Sequence, residues 1–126
     1  MKLDNIHEDN RGAIMALTGD LKDYPEIAIL KTNENYARGG CIHRKHIEHL
    51  CVFEGHIKYV YRFPNETEIQ EAYLGPGEGI SIPANTPHYY ISLSDSIVGE
   101  WGCDLDEKQE KHEEFRKIVL DYNNGR

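Results

Sequence analysis

Apolar and polar residues alternate in short runs along this chain, and glycine, proline, asparagine or aspartate separates one run from the next. Residues 13–17, 26–32 (EIAILKT), 48–53, 57–63, 68–74, 80–83, 88–93 and 96–101 read as strands, rich in the β-branched and aromatic residues that a pleated surface favours. Residues 9–12 (DNRG), 33–35, 64–66 and 75–79 (GPGEG) have turn composition, Gly55 turns the chain between two of the runs, and 20–25 reads as a loop. Within 48–53 the period of two places Glu48, Leu50 and Val52 on one face and His49, Cys51 and Phe53 on the other. Short strands recurring roughly every 8–12 residues predict an antiparallel sandwich or barrel.

The end of the chain changes period. Asp104 is placed to cap a helix, with Glu107 as its reciprocal partner, and Phe115, Ile118, Val119 and Tyr122 then recur at helical spacing. So narrow an apolar stripe suits a helix on the outside of the barrel or against a second subunit. The acidic run 104–114 reads as its solvated face.

A chain of 126 residues with 39% apolar content forms one domain spanning 1–126 and buries one core without staples. No apolar run is long enough to span a bilayer, and the first residues lack the apolar core of a secretion signal. Cys41, Cys51 and Cys103 form no disulfide-like array and fit a reducing compartment, so a cytoplasmic location is expected. A net charge of −8, with lysines and arginines scattered, argues against nucleic acid as a partner. A phosphorylated small ligand stays open, because a few arginines at a cavity mouth create a local field of opposite sign.

Chemistry-bearing residues are concentrated in one stretch. Cys41, His43, His46, Glu48 and His49 fall within nine residues, directly before the strand that ends at Gly55. A second segment, GPGEGISIPANTPHYY, brings His88 onto a strand after a proline-bounded turn. Two separate strands would then offer imidazoles to one cavity.

These residues resemble the motifs of the cupin superfamily, small jelly-roll barrels. Its first motif places a glycine, a His-x-His pair, a glutamate and a glycine where this chain has Asn35, Cys41 and His43, Glu48 and Gly55. Its second falls on Gly77, Pro83, Asn85, His88 and Ser92, with Asn85 in place of a glycine and Ser92 in place of an asparagine. Asparagine also tolerates the left-handed conformation such a turn demands. The segment from Arg38 to His43 is similar to the Arg-Gly-Gly-His-Ala-His segment of sugar-nucleotide 3,4-ketoisomerases, and more loosely to the 3,5-epimerases of keto-deoxy-sugar nucleotides. Cys41 stands where both families carry a catalytic histidine.

The resemblance implies an all-β, antiparallel cupin jelly-roll barrel with one C-terminal helix. It also implies two enzymatic readings. In the first, a keto-isomerase or epimerase of a nucleotide-linked sugar, His43 carries proton transfer, with Cys41 and His88 as further catalytic candidates and Arg38, Tyr36 and Tyr90 as substrate-binding ones. In the second, His43, Glu48 and His88 occupy three metal-ligand positions. Two imidazoles and a carboxylate suit Zn, Fe, Mn or Ni, and Cys41 would be a fourth, thiophilic ligand. A third reading is a small-ligand binding domain without catalysis. Plainer roles stand beside these: Cys41 as a small packed residue, His46 and His49 facing solvent, His7, His56 and His112 on the surface, and Tyr59, Tyr61 and Trp101 as core packing rather than an aromatic wall. Pairing of subunits to protect exposed strand edges and the His49, Cys51, Phe53 face makes a homodimer the expected assembly.

Overall fold

The computed structural model describes residues 2–19, 26–102 and 110–125. These contain strands β1 (Lys2–Asp9), β2 (Gly12–Thr18), β3 (Glu26–Thr32), β4 (Ala37–Ile42), β5 (Glu48–Glu54), β6 (Ile57–Tyr61), β7 (Gln70–Leu74), β8 (Gly79–Ile82), β9 (His88–Ser92), β10 (Ser96–Trp101) and β11 (Glu110–Lys111), followed by helix α1 (Glu113–Asn124). The strands form a six-stranded sheet in the order β1-β2-β3-β10-β5-β8 and a five-stranded sheet in the order β11-β4-β9-β6-β7. Every pairing is antiparallel. The late strands β9 and β10 insert between earlier ones in both sheets, which is the crossing pattern of a jelly roll.

Leu30, Leu50, Val52, Ile57, Tyr59, Ile82, Tyr90 and Val98 fill the space between the sheets. The smaller sheet is covered on its other face too. Ala37, Val60, Tyr89 and Ile91 meet Phe115 and Val119 of α1, both fully buried, so every residue of β9 is buried. Burying a side chain such as Phe115 contributes about 1.5–3 kcal/mol, which makes the helix part of the fold and not an appendage. The predicted stripe is thus confirmed at Phe115 and Val119, with Tyr122 packed beside them. Ile118 is 37% exposed and turns away.

Polar contacts tie α1 to the outer edge of β4. Asn123 accepts from the Ala37 N–H through Oδ1 at 2.8 Å and donates through Nδ2 to the Ala37 carbonyl at 2.9 Å. Arg116 Nη1 donates to the Gly39 carbonyl at 2.9 Å, and the His112 N–H to the Gly40 carbonyl at 2.8 Å.

The structure departs from the sequence pattern in several places. Strand β1 was not expected, because Leu3 and Ile6 break the period of two; the register of β1 on β2 shifts between Asn5 and His7, and the bulge absorbs Ile6. The proposed cap at Asp104 and its partner Glu107 lie outside the described residues, as do loop 20–25 and Cys103. The helix that is described begins later, capped by His112, whose ring accepts from the Phe115 N–H at 3.3 Å. His112 is therefore a structural residue, not a plain surface one. Part of the acidic run pairs as β11 with Cys41 and Ile42 instead of forming a helix face. Asn85 takes the left-handed conformation (φ 63°), as its place in the turn requires.

Gly40 has φ +82°, and a Cβ there would lie 2.6 Å from Cα and 2.8 Å from N of Arg116. Gly77 has nearly the same φ, +83°, with nothing within 4 Å. The pair separates backbone strain from steric exclusion. Gly77→Ala should cost about 1–2 kcal/mol in urea denaturation, the strain of a left-handed residue alone. Gly40→Ala should cost clearly more, because the backbone of α1 must move. Equal costs would mean that the helix is not seated on β4 as described.

Candidate functional site

A bulge in β4 builds the site. Arg38 pairs with Tyr90 and Cys41 with His88, while the register shifts between Gly39 and Cys41. With Gly40 as the extra residue, Arg38 and Cys41 both face the sheet interior although three positions apart. His43 follows two residues later on the same side. From the opposite sheet, Glu48 opens β5 and points inward with Leu50 and Val52, as the alternation predicted.

His43, Glu48 and His88 meet in the interior, each 5% exposed or less. One potential ligand atom from each lies within 4.8 Å of the others. Glu48 Oε2 is 3.1 Å from His43 Nε2 and 2.7 Å from His88 Nε2, and the two rings stack with centroids 5.4 Å apart. Despite these short distances, the buried Oε2 makes no hydrogen bond of acceptable angle. His88 Nδ1 donates to the Thr86 carbonyl at 2.9 Å, which assigns that nitrogen a proton and turns Nε2 toward the group. A backbone carbonyl holding the far nitrogen is the usual arrangement of a metal-binding histidine. The residues present therefore fit a divalent transition metal.

Burial opposes ionisation of Glu48, but the neighbouring His88 and His43 outweigh it and hold the carboxyl well below the usual range. For His88, burial favours the neutral ring, and Glu48 outweighs it in turn, so its pKa is raised. Tyr59 stacks on His88 with ring planes 10° apart and centroids 6.0 Å apart, closing one side of the group.

Beside the group runs a cavity of about 340 Å³ lined by Arg38, Cys41, Glu48, His88, Tyr90 and Glu100 among others. Arg38, Cys41, His88 and Tyr90, singled out in the sequence, thus share one chamber. Cys41 faces it but is not part of the converging group, and burial pushes its thiol up, so it is a protonated thiol at neutral pH. Tyr36 does not line the chamber; its hydroxyl accepts from Asn10 at 3.4 Å. His49 hydrogen-bonds Ser81 at 2.7 Å and stacks on Trp101, so it is half-buried on the outer face and not simply solvated. Trp101 goes with it, whereas Tyr59 is core. His46 is half-buried in the turn before β5.

Glu100 was missed. It pairs with Leu50 across β10 and β5 and shares the inward face of Val98, and that parity, an acid in step with an apolar residue, was the available signal. Burial, and then the Glu48 carboxylate beside it, push the Glu100 carboxyl well above the ordinary range.

No protein-family model matches the sequence, and no curated protein does. Solved structures do match. Capsular polysaccharide assembling protein CapF of Staphylococcus aureus superposes with a TM-score of 0.75 at 19% identity, over 88% of this chain and 32% of that one. The CENP-C cupin domain of Drosophila melanogaster gives 0.68 at 15%, over 81% and 76%. A variant of Bacillus subtilis oxalate decarboxylase gives 0.65 at 12%, over 76% and 26%. The chain has the cupin fold. It spans about a third of the length of CapF, and at these identities the likeness carries architecture and not activity.

The Glu100 environment makes a pH-dependent prediction. A carboxyl whose folded pKa is raised keeps a proton that the unfolded chain releases above about pH 4.3, so its contribution to stability falls as pH rises from there. In metal-free protein, Glu100→Gln removes that loss: its Tm relative to wild type should climb between pH 4 and pH 8. A difference that stays flat, or shrinks, would show Glu100 ionised in the folded protein.

Proposed function

We propose that this chain is a metal-dependent cupin enzyme acting on a small molecule in the cavity, with His43, Glu48 and His88 holding one divalent ion, Zn, Fe, Mn or Ni. The observation that carries this reading is the convergence of three buried donors within 4.8 Å at the wall of a chamber. When bound, such an ion polarises a carbonyl or hydroxyl oxygen of the ligand. The chain's own residues do the rest: the Thr86 carbonyl orients His88, Tyr59 and the β-sheet core keep water from the donors, and Arg38 and Tyr90, one inward rung along from His88, position the ligand. No helix among the described residues is long and apolar enough to cross a membrane. A homodimer belongs to this reading because Leu3 and Phe53, 54% and 52% exposed, fall by register on the outer face of the six-stranded sheet.

A second reading, a keto-isomerase or epimerase of a nucleotide-linked sugar, is favoured by the shared chamber of Arg38, Cys41, His88 and Tyr90. Likeness to a capsular polysaccharide assembling protein points the same way. The protonated Cys41 thiol leaves proton transfer to His43 or His88.

Purified protein incubated with each of the four ions and dialysed should retain about one equivalent of at least one of them. Its Tm should rise, since an ion at about 100 times its Kd adds about 2.7 kcal/mol to native stability. Glu48→Gln should lose both effects. Protein that takes up no ion, with Tm unmoved, overturns the metal reading. The second reading expects exchange of the proton beside the ketone with solvent deuterium in a panel of nucleotide-linked keto-sugars, cut about 10²–10⁴-fold by His43→Ala. A panel without exchange removes it.

A further inference from the structure

Arg38 carries a charge into the interior with no carboxylate in ion-pair contact; Asp9 and Glu100 act on it only from beyond that range. It is 3% exposed and lines the cavity on the same wall as His88. Its Nε donates to Thr32 Oγ1 at 2.7 Å and its Nη2 to the Lys31 carbonyl at 3.2 Å, both neutral acceptors. Among the described residues no carboxylate forms an ion pair with it, in contrast to Arg11, which Asp9 holds at 2.7 Å, and Arg62, which Glu114 holds at 3.0 Å. A guanidinium has five N–H groups, so about three have no protein acceptor among the described residues. A buried charge left in this state is costly, and the cost is recovered when a ligand supplies the counter-charge.

The position of this charge limits the ligand. Arg38 sits opposite Tyr90 and Cys41 opposite His88, one inward rung apart, so the guanidinium wall and the histidine group are separated by about 7 Å along the ladder. The chamber, at about 340 Å³, lies at the small end of ligand pockets, which run from about 300 to 1,000 Å³. Glu26, Glu48 and Glu100 also line it, a setting that admits one negative charge beside Arg38 and disfavours a multiply charged phosphate. Planar forks of N–H groups match a carboxylate.

From these observations we infer that the cavity binds a compact organic acid, its carboxylate on Arg38 and a hydroxyl or keto oxygen directed at the His43, Glu48, His88 group. This assignment names the ligand class for the metal reading above and rests on it for the second contact only. The carboxylate contact stands on Arg38 alone.

Calorimetric titration of wild-type protein, metal-loaded and metal-free, with the monoanions lactate and pyruvate and the uncharged analogue propane-1,2-diol tests it. The acids should bind and the diol should bind at least tenfold more weakly, a comparison that needs no variant. Arg38→Gln, checked for native circular dichroism, should weaken acid binding about 10–100-fold, the loss of a charge-assisted hydrogen-bonded pair, and Arg38→Lys should recover part of it. Acid binding that depends on Arg38 in protein that takes up no metal supports the inference while the metal reading fails. Metal uptake without acid binding, or acids and diol bound alike, overturns the inference and leaves the metal reading standing.

Discussion

Taking the Glu48 carboxylate out of water is the step on which the rest of the interior depends. Desolvating an ionised carboxylate costs several kcal/mol, and only close, well-placed positive partners offset it. The two imidazoles supply that compensation, and each must arrive from a different part of the chain. The register of β9 delivers His88, and the bulge in β4 carries the chain round so that His43 arrives on the same side. A slip of one residue in either strand would leave the carboxylate buried without compensation, so the electrostatics of one side chain constrains the pairing of a whole sheet.

The smaller sheet has to satisfy two interiors at once. His88 and Tyr90 of β9 face the cavity side, while Tyr89 and Ile91 face α1. Polar function on one face is tolerated because the other is anchored by apolar contact with Phe115 and Val119. The same division appears in β4, where Ala37 is packed under the helix and Arg38 looks inward. Stability and binding are therefore assigned to opposite sides of the same strands.

Much of this was legible in the sequence. Alternation located β2, β3 and β5 to β10 to within a few residues, and the resemblance to the cupin motifs grouped His43, Glu48 and His88, which the fold brings together. Strand β4, whose period the bulge at Gly40 breaks, was not read as a strand, nor was β11. Three further features escaped for physical reasons. Strand β1 contains a bulge, which destroys the period that reveals strands. The start of α1 is set by a histidine cap, a weaker local signal than the aspartate upstream. Glu100 is an acid at an inward position, and its role depends on which strands become neighbours, information that local pattern does not hold. Cys41 shows the limit in the other direction: a motif placed it correctly on the cavity wall, and its environment decided its protonation.

The side-chain amide of Asn123 occupies both backbone groups of Ala37, Arg116 takes the Gly39 carbonyl, the His112 N–H takes that of Gly40, and β11 covers Cys41 and Ile42. Strand β4 thus offers a foreign chain little open backbone to copy. An unpaired strand margin is a template for runaway fibre growth, and here the C-terminal segment acts as a seal over it. Chains cut short before the helix would expose that margin together with the apolar surface beneath Phe115, linking loss of the tail to insolubility before any loss of chemistry.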